Sequence, residues 1–196
     1  MLLAILSLVM MQAAGLSGGI HSDPVPTEIA APLAAKLAPG GVRATANGKT
    51  LTFWWVKDLP GQAWTDVPEG TLIGALKLEE AVPDIRGHVI KPGVYTLRYG
   101  IQPATSDHFG ISPFRDFLLV SPAAVDTDPA APGHDGVIAL SKQTLGGSHP
   151  AVLSIDPPSA RQAPLDVYTT QLGHKSLIVQ VGQLKFGIVL IGKIIT

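Results

Sequence analysis

Six histidines are the residues of this sequence whose chemistry is most easily named: His21, His88, His108, His134, His149 and His174. None of them forms the close helical pair that is typical of zinc enzymes. Asp107 and His108 are adjacent in the sequence, and folding can bring His149 to them, which would unite imidazole and carboxylate ligands of the kind that bind a metal. Asp107, His108 and His149 are therefore a metal-site hypothesis. The alternative is that they are solvated loop residues.

Three tryptophans are the second group with a chemical use. Trp54 and Trp55 are neighbours, so they point to opposite faces if their segment is a strand. Trp64 follows in a predicted loop. A surface indole can stack on a sugar ring or anchor a protein partner, because it offers a large and amphipathic contact area. Trp54, Trp55 and Trp64 are thus binding candidates, and the alternative is a central strand that is buried on both faces.

Nucleophilic catalysis has little support. The sequence contains no Cys, which excludes thiolate catalysis, iron–sulfur clusters and disulfides. Ser148 and His149 are adjacent, but the members of a catalytic triad meet through the fold and not by adjacency. We predict a protein that is not an enzyme and that needs no cofactor. Among the charged residues, Arg98 alternates with two tyrosines, and we expect a structural ion pair between Arg98 and a carboxylate such as Asp116.

Strands must position these residues. Short apolar runs with period-two alternation, separated by Gly, Pro and Asn-Gly turn signals, predict strands. The predicted strands are 50–56, 71–78, 94–99, 116–120, 150–155, 177–181 and 186–192. Residues 28–38 are the one stretch with a good helical pattern, and 122–136 is a polar, Pro-rich segment that we interpret as a surface loop.

The N-terminus predicts export. Residues 2–11 are apolar and a small-residue segment follows them, as in a secretory signal. No charged residue occurs in residues 1–20, so a retained membrane anchor is the alternative. We therefore divide the chain into 1–19 as signal peptide or anchor, 20–27 as linker and 28–196 as a single domain. The predicted location is periplasmic or extracellular, with membrane attachment if residues 1–20 are retained.

Composition excludes several classes. The 196 residues include 14 Lys and Arg against 15 Asp and Glu, a net charge of −1. The chain therefore lacks the excess of positive charge with which proteins bind nucleic acid. Gly and Pro supply 21 and 17 residues, which argues against a helical bundle, and 46% of residues are hydrophobic, which argues against disorder. The prediction is an all-β protein, most simply an immunoglobulin-like β-sandwich with one short N-terminal helix; the alternative is a small β-barrel.

One resemblance can be stated on particular residues. The segments that carry it are Arg86-Gly87, Ile90-Lys91-Pro92-Gly93-Val94-Tyr95-Thr96-Leu97-Arg98-Tyr99, Asp107-His108-Phe109-Gly110-Ile111-Ser112-Pro113 and Arg115-Asp116-Phe117-Leu118-Leu119. They cover about a fifth of the chain and resemble exported bacterial β-sandwich proteins to which no activity is attached. The resemblance implies export and a sandwich fold. It carries no catalytic residue.

Three functions follow as expectations. The first is a non-enzymatic exported protein that binds or braces another protein, such as an accessory subunit on the periplasmic face of a membrane complex. The second is a carbohydrate- or small-ligand-binding module that uses an exposed tryptophan. The third is a His/Asp metal-binding protein.

Overall fold

The computed structural model describes residues 16–103, 112, 114–147, 149–158 and 163–191. The strands in this part of the chain are β1 (Ser17–His21), β2 (Gly41–Ala46), β3 (Lys49–Trp55), β4 (Leu72–Leu78), β5 (Val82–Pro83), β6 (Val89–Ile90), β7 (Gly93–Ile101), β8 (Asp116–Pro122), β9 (Ala151–Asp156), β10 (Val167–Thr169), β11 (Lys175–Val181) and β12 (Leu184–Ile191). The helices are α1 (Ala31–Ala34), α2 (Gly133–Lys142) and the 3-10 turns Trp64–Asp66 and Gln143–Leu145.

Ten strands form one antiparallel sheet in the order β1-β2-β3-β4-β7-β8-β9-β12-β11-β10, and β5 and β6 form a separate hairpin. The large sheet rolls around one apolar core, because side chains from distant strands meet inside it. The ring of Trp55 in β3 meets the ring edge of Phe186 in β12, with 6.1 Å between centroids. The all-β prediction is confirmed. A single rolled sheet is closer to the predicted alternative, a small barrel, than to two facing immunoglobulin sheets.

The predicted strands are found within one or two residues of their predicted ends, because turn chemistry and alternation agree at those positions. Asn47 and Gly48 have φ of 52° and 74°, which is the left-handed pair required by a tight hairpin between β2 and β3. Gly182, with φ of 58°, turns β11 into β12. The C-terminal apolar segment is thus a hairpin, as its β-branched residues and interrupting glycines predict.

β7 shows how the sheet creates two separate apolar layers. Leu97 and Tyr99 point into the interior and belong to the main core. Arg98 points to the opposite side and is also buried, because residues 122–142 cover the outer face of the sheet. A second, smaller apolar cluster lies there, formed by Ile85, Phe117, Leu119, Val137 and Val152. This outer layer holds the candidate site.

Three predictions about the connecting segments need correction. Only Ala31–Ala34 of the predicted helix 28–38 is α-helical, because the chain then leaves the helix so that Leu37 can form a β-bridge to Val56. The predicted linker 20–27 begins inside β1, which pairs with β2. The predicted surface loop 122–136 runs into α2, which starts at Gly133 and packs Val137 against the outer face of the sheet. Within the described ranges, we find no helix with the length and apolarity needed to cross a membrane.

Candidate functional site

A pocket lies between α2 and the outer face of the sheet, and we call it the α2 pocket. Its volume is about 330 Å³. The floor and walls are apolar and are formed by Phe117, Leu119, Val137, Ile138 and Val152. These residues come from β8, from α2 and from β9, whose outward side chains alternate with core residues. Gly100 contributes to the opening, since a side chain at that position would overlap Leu119.

One end of the pocket carries a paired carboxylate. Glu69 Oε2 lies 2.7 Å from Nδ1 of His134, in the first turn of α2, and it also accepts the backbone N–H of Ile101 at 3.1 Å. This carboxylate connects α2 to the end of β7. Its hydrogen-bonding capacity at that oxygen is already used within the protein, so we interpret Glu69 and His134 mainly as an anchor for the helix.

The other end carries basic side chains. Arg86, Lys142 and His149 all line the pocket. Arg86 is held in place by its neighbour Asp84, whose Oδ1 accepts the backbone N–H groups of Arg86 at 2.9 Å and His88 at 2.8 Å. Nε of Arg86 is shielded from solvent and has no hydrogen-bond acceptor among the described residues. This end of the pocket can therefore receive an anionic group.

The structure describes one of the three residues in the metal hypothesis. Asp107 and His108 lie outside the described residues. The ring of His149 stacks on that of His88, with centroids 5.7 Å apart and planes within 16°. In the described ranges, no group of three His or carboxylate side chains is arranged to hold a metal ion. His149 instead lines the rim of the α2 pocket.

Trp54 and Trp55 belong to the main core of the protein, and Trp64 packs against it. Trp54 and Trp55 are only 2% and 7% exposed, so the alternative of a strand buried on both faces is what the structure shows. Trp54 donates Nε1–H to the carbonyl of Asp23 at 3.0 Å. Trp64 is half-buried and stacks on Tyr99, with centroids 4.8 Å apart. Trp54 and Trp55 therefore offer no free indole face for a sugar, because the segment around Asp23 and the core cover them.

One further expectation, about the ion pair of Arg98, changes. Arg98 pairs with Asp126 and not with Asp116, which instead accepts the phenolic hydroxyl of Tyr99 at 2.6 Å. Burial and this carboxylate raise the pKa of Tyr99 well above its usual range.

Ser17 stands in a Gly-x-Ser-x-Gly sequence, residues 15–19, but it lies in β1 and not at the strand-to-helix turn that exposes a hydrolase nucleophile.

Sequence reasoning missed the α2 pocket because it missed α2. The available signal was the spacing of Val137 and Ser141, which are four residues apart and both buried, as expected on one helix face. The pocket residues Arg86 and Lys142 carry no motif that could identify them in advance.

Comparisons of this chain with protein-family models, with curated proteins and with solved structures find no match. The resemblance to exported bacterial β-sandwich proteins stays a prediction. The functional argument therefore depends on the pocket and its residues.

Proposed function

We propose that this protein is a non-enzymatic binding protein that holds a small, mainly apolar molecule in the α2 pocket. The observation that supports this most directly is the pocket itself: about 330 Å³ of concave space with an apolar floor and a few charged groups at its rim. Small-molecule sites have this size and composition. A folded protein otherwise fills space of this kind with its own side chains.

The driving force comes mainly from the apolar surface of the ligand itself, because Phe117 and Leu119 are already almost fully buried. Removal of apolar surface from water contributes roughly 25 cal/mol per Å². Phe117 and Leu119 are already packed from beneath by the sheet, so a ligand would meet a firm surface and α2 would form the opposite wall. A largely preformed site needs little ordering of side chains when the ligand binds.

A neutral fluorescent probe, N-phenyl-1-naphthylamine, tests this proposal. We expect saturable binding with one site per chain. Ile138→Phe should fill part of the pocket and weaken binding at least tenfold, about 1.4 kcal/mol. Ala139→Phe is the matched control, because Ala139 is exposed on the same helix and does not line the pocket. Non-saturable binding, or equal binding by the two variants, would contradict the proposal.

A protein partner is the second candidate function, in line with an exported accessory subunit. The observation that favours it is Ile20 in β1, which is 77% exposed, the largest exposure among the large apolar residues that the structure describes. Native mass spectrometry of the protein from its own membranes tests this role and the predicted export together. Ile20→Lys should release a bound chain, whereas Leu172→Lys, at another exposed apolar residue, should not. Detection of the wild-type protein only as an isolated monomer would contradict the proposal of a protein partner.

A further inference from the structure

The two ends of the α2 pocket differ in what they can bind. His134 lies in the first turn of α2 and Lys142 is its last residue, so the two are separated by about 12 Å along the helix. The carboxylate of Glu69 occupies the first end, where His134 and the amide of Ile101 already bind it. An anionic ligand group would be repelled there.

The cationic end has charges without counterions among the residues that the structure describes. Neither Arg86 nor Lys142 forms an ion pair with any residue in the described ranges, although both line the pocket. The hairpin of β5 and β6, which carries Arg86 in its connection, contacts the 3-10 turn Gln143–Leu145 that follows α2. The fold thus brings Arg86 and the C-terminal end of α2 together.

Asp84, two residues from Arg86 in the sequence, forms no ion pair with it. Asp84 is 2% exposed, and its Oδ1 binds two backbone N–H groups of its own turn. Its Oδ2 lies 3.6 Å from Nδ1 of His88. Asp84 therefore positions the turn, and Nε of Arg86 is left without an acceptor among the described residues. A shielded N–H group without an acceptor is unfavourable, and a carboxylate can bind a guanidinium through two parallel hydrogen bonds.

We infer that the molecule bound in the α2 pocket is an amphiphilic carboxylate, with its apolar body on Phe117 and Leu119 and its carboxylate at Arg86 and Lys142. This inference rests on the proposed function and adds the chemical class of the ligand. The apolar body of the ligand would pack on the floor of the pocket, and its carboxylate would form ion pairs with the basic side chains at the cationic end.

Decanoate and decanol test the inference, because they share an apolar body and differ in charge. Isothermal titration calorimetry below the critical micelle concentration should show decanoate binding at least tenfold more tightly than decanol. Arg86→Gln should abolish this preference and Lys142→Gln should reduce it, while decanol affinity stays within about twofold. Lys91→Gln is the control, since Lys91 is an exposed cation outside the pocket.

The outcomes separate the two proposals. Equal affinity of the wild-type protein for the acid and the alcohol would overturn the carboxylate inference and leave the apolar pocket supported. An unchanged preference for decanoate in Arg86→Gln would also overturn the inference, provided that thermal unfolding shows the variant to be folded. Binding of neither compound would overturn both proposals. Arg86→Lys adds a further check, because it keeps the charge but loses the two-point geometry, and it should retain part of the preference.

Discussion

Arg98 and Asp126 form a two-point ion pair on the outer face of the sheet, with Nε–Oδ2 and Nη2–Oδ1 distances of 2.7 and 2.8 Å. Both residues are almost fully buried, at 1% and 2% exposure. The remaining N–H groups of Arg98 bind the carbonyls of Gly70, Ala130 and Asp128. All five guanidinium donors are thus used. The pair attaches the chain before α2 to β7, and so fixes the wall of the α2 pocket.

Asp126→Ala should therefore be strongly destabilising, because it leaves the charge of Arg98 buried without a partner. Loss of one member of a buried pair costs about 3–5 kcal/mol. Urea unfolding measures the change. The matched control is Asp23→Ala, which removes the half-exposed pair of Asp23 with Arg43 and should cost at most about 1 kcal/mol. Similar losses in the two variants would contradict the role assigned to Asp126.

A pH-dependent stability is expected from Asp156, whose side chain is buried at the end of β9. Burial raises the pKa of Asp156 to about 6 from an ordinary value of 3.8. The folded state keeps this proton while the unfolded state has lost it, so the contribution of Asp156 falls as pH rises from about 4 to about 6. At about 1.4 kcal/mol per pKa unit, the loss is on the order of 2–3 kcal/mol. Asp156→Asn should remove this slope and be the more stable protein at pH 7.

Asp66 provides a control of opposite sign. Its carboxylate accepts the backbone N–H groups of Gln62 and Ala63, which lowers the pKa of Asp66. The charged form is favoured in the folded state, so stability from this residue is lost as pH falls through its pKa. Asp66→Asn should destabilise at pH 7, where Asp156→Asn stabilises. Chemical unfolding at several pH values compares them, and a change of the same sign in both would contradict the assignment.

Seven of the ten strands described in the large sheet could be predicted from the sequence because they carry local information, whereas β1, β2 and β10 were not predicted. Alternation in 94–99, the Asn47-Gly48 turn and the β-branched C-terminal segment each determine a strand or a hairpin without help from distant residues. Strand order could not be predicted in this way, since pairing between β9 and β12 depends on contacts across a long connection. The choice between sandwich and barrel depends on that order.

The candidate site could not be predicted because it depends on tertiary contacts. α2 begins directly after Pro132 and has no side-chain N-cap, so its start lacks the usual sequence signal. Asp126 lies in a polar segment, 28 residues after Arg98. Nothing in that segment indicates that Asp126 will be buried against Arg98. Arg86, Lys142 and His149 become neighbours of one pocket only after α2 packs on the sheet. Of the described residues that were predicted to bind a ligand or metal, His149 lines this pocket and Trp54, Trp55 and Trp64 do not.

Trp54 should contribute to stability and not to sugar binding. Trp54→Phe removes the hydrogen bond to the carbonyl of Asp23 and part of a buried indole, and should cost about 1–3 kcal/mol. Acrylamide should quench the fluorescence of Trp54 and Trp55 poorly, with Trp64 more accessible. Comparison of Trp54→Phe with Trp64→Phe separates these signals. Strong quenching that disappears in Trp54→Phe would show that Trp54 is accessible after all.

Glu69 should anchor α2 without selecting the ligand charge. Glu69→Ala removes the acceptor of His134 and of the Ile101 amide, so the first turn of α2 should exchange its amide hydrogens faster and stability should fall by about 1–2 kcal/mol. Glu79→Ala is the control, because the ion pair of Glu79 with Lys77 is exposed and should contribute less than about 1 kcal/mol. The preference for decanoate over decanol should persist in Glu69→Ala, since the cationic end at Arg86 is intact. Loss of that preference together with unchanged α2 exchange would reverse the roles assigned to the two ends of the pocket.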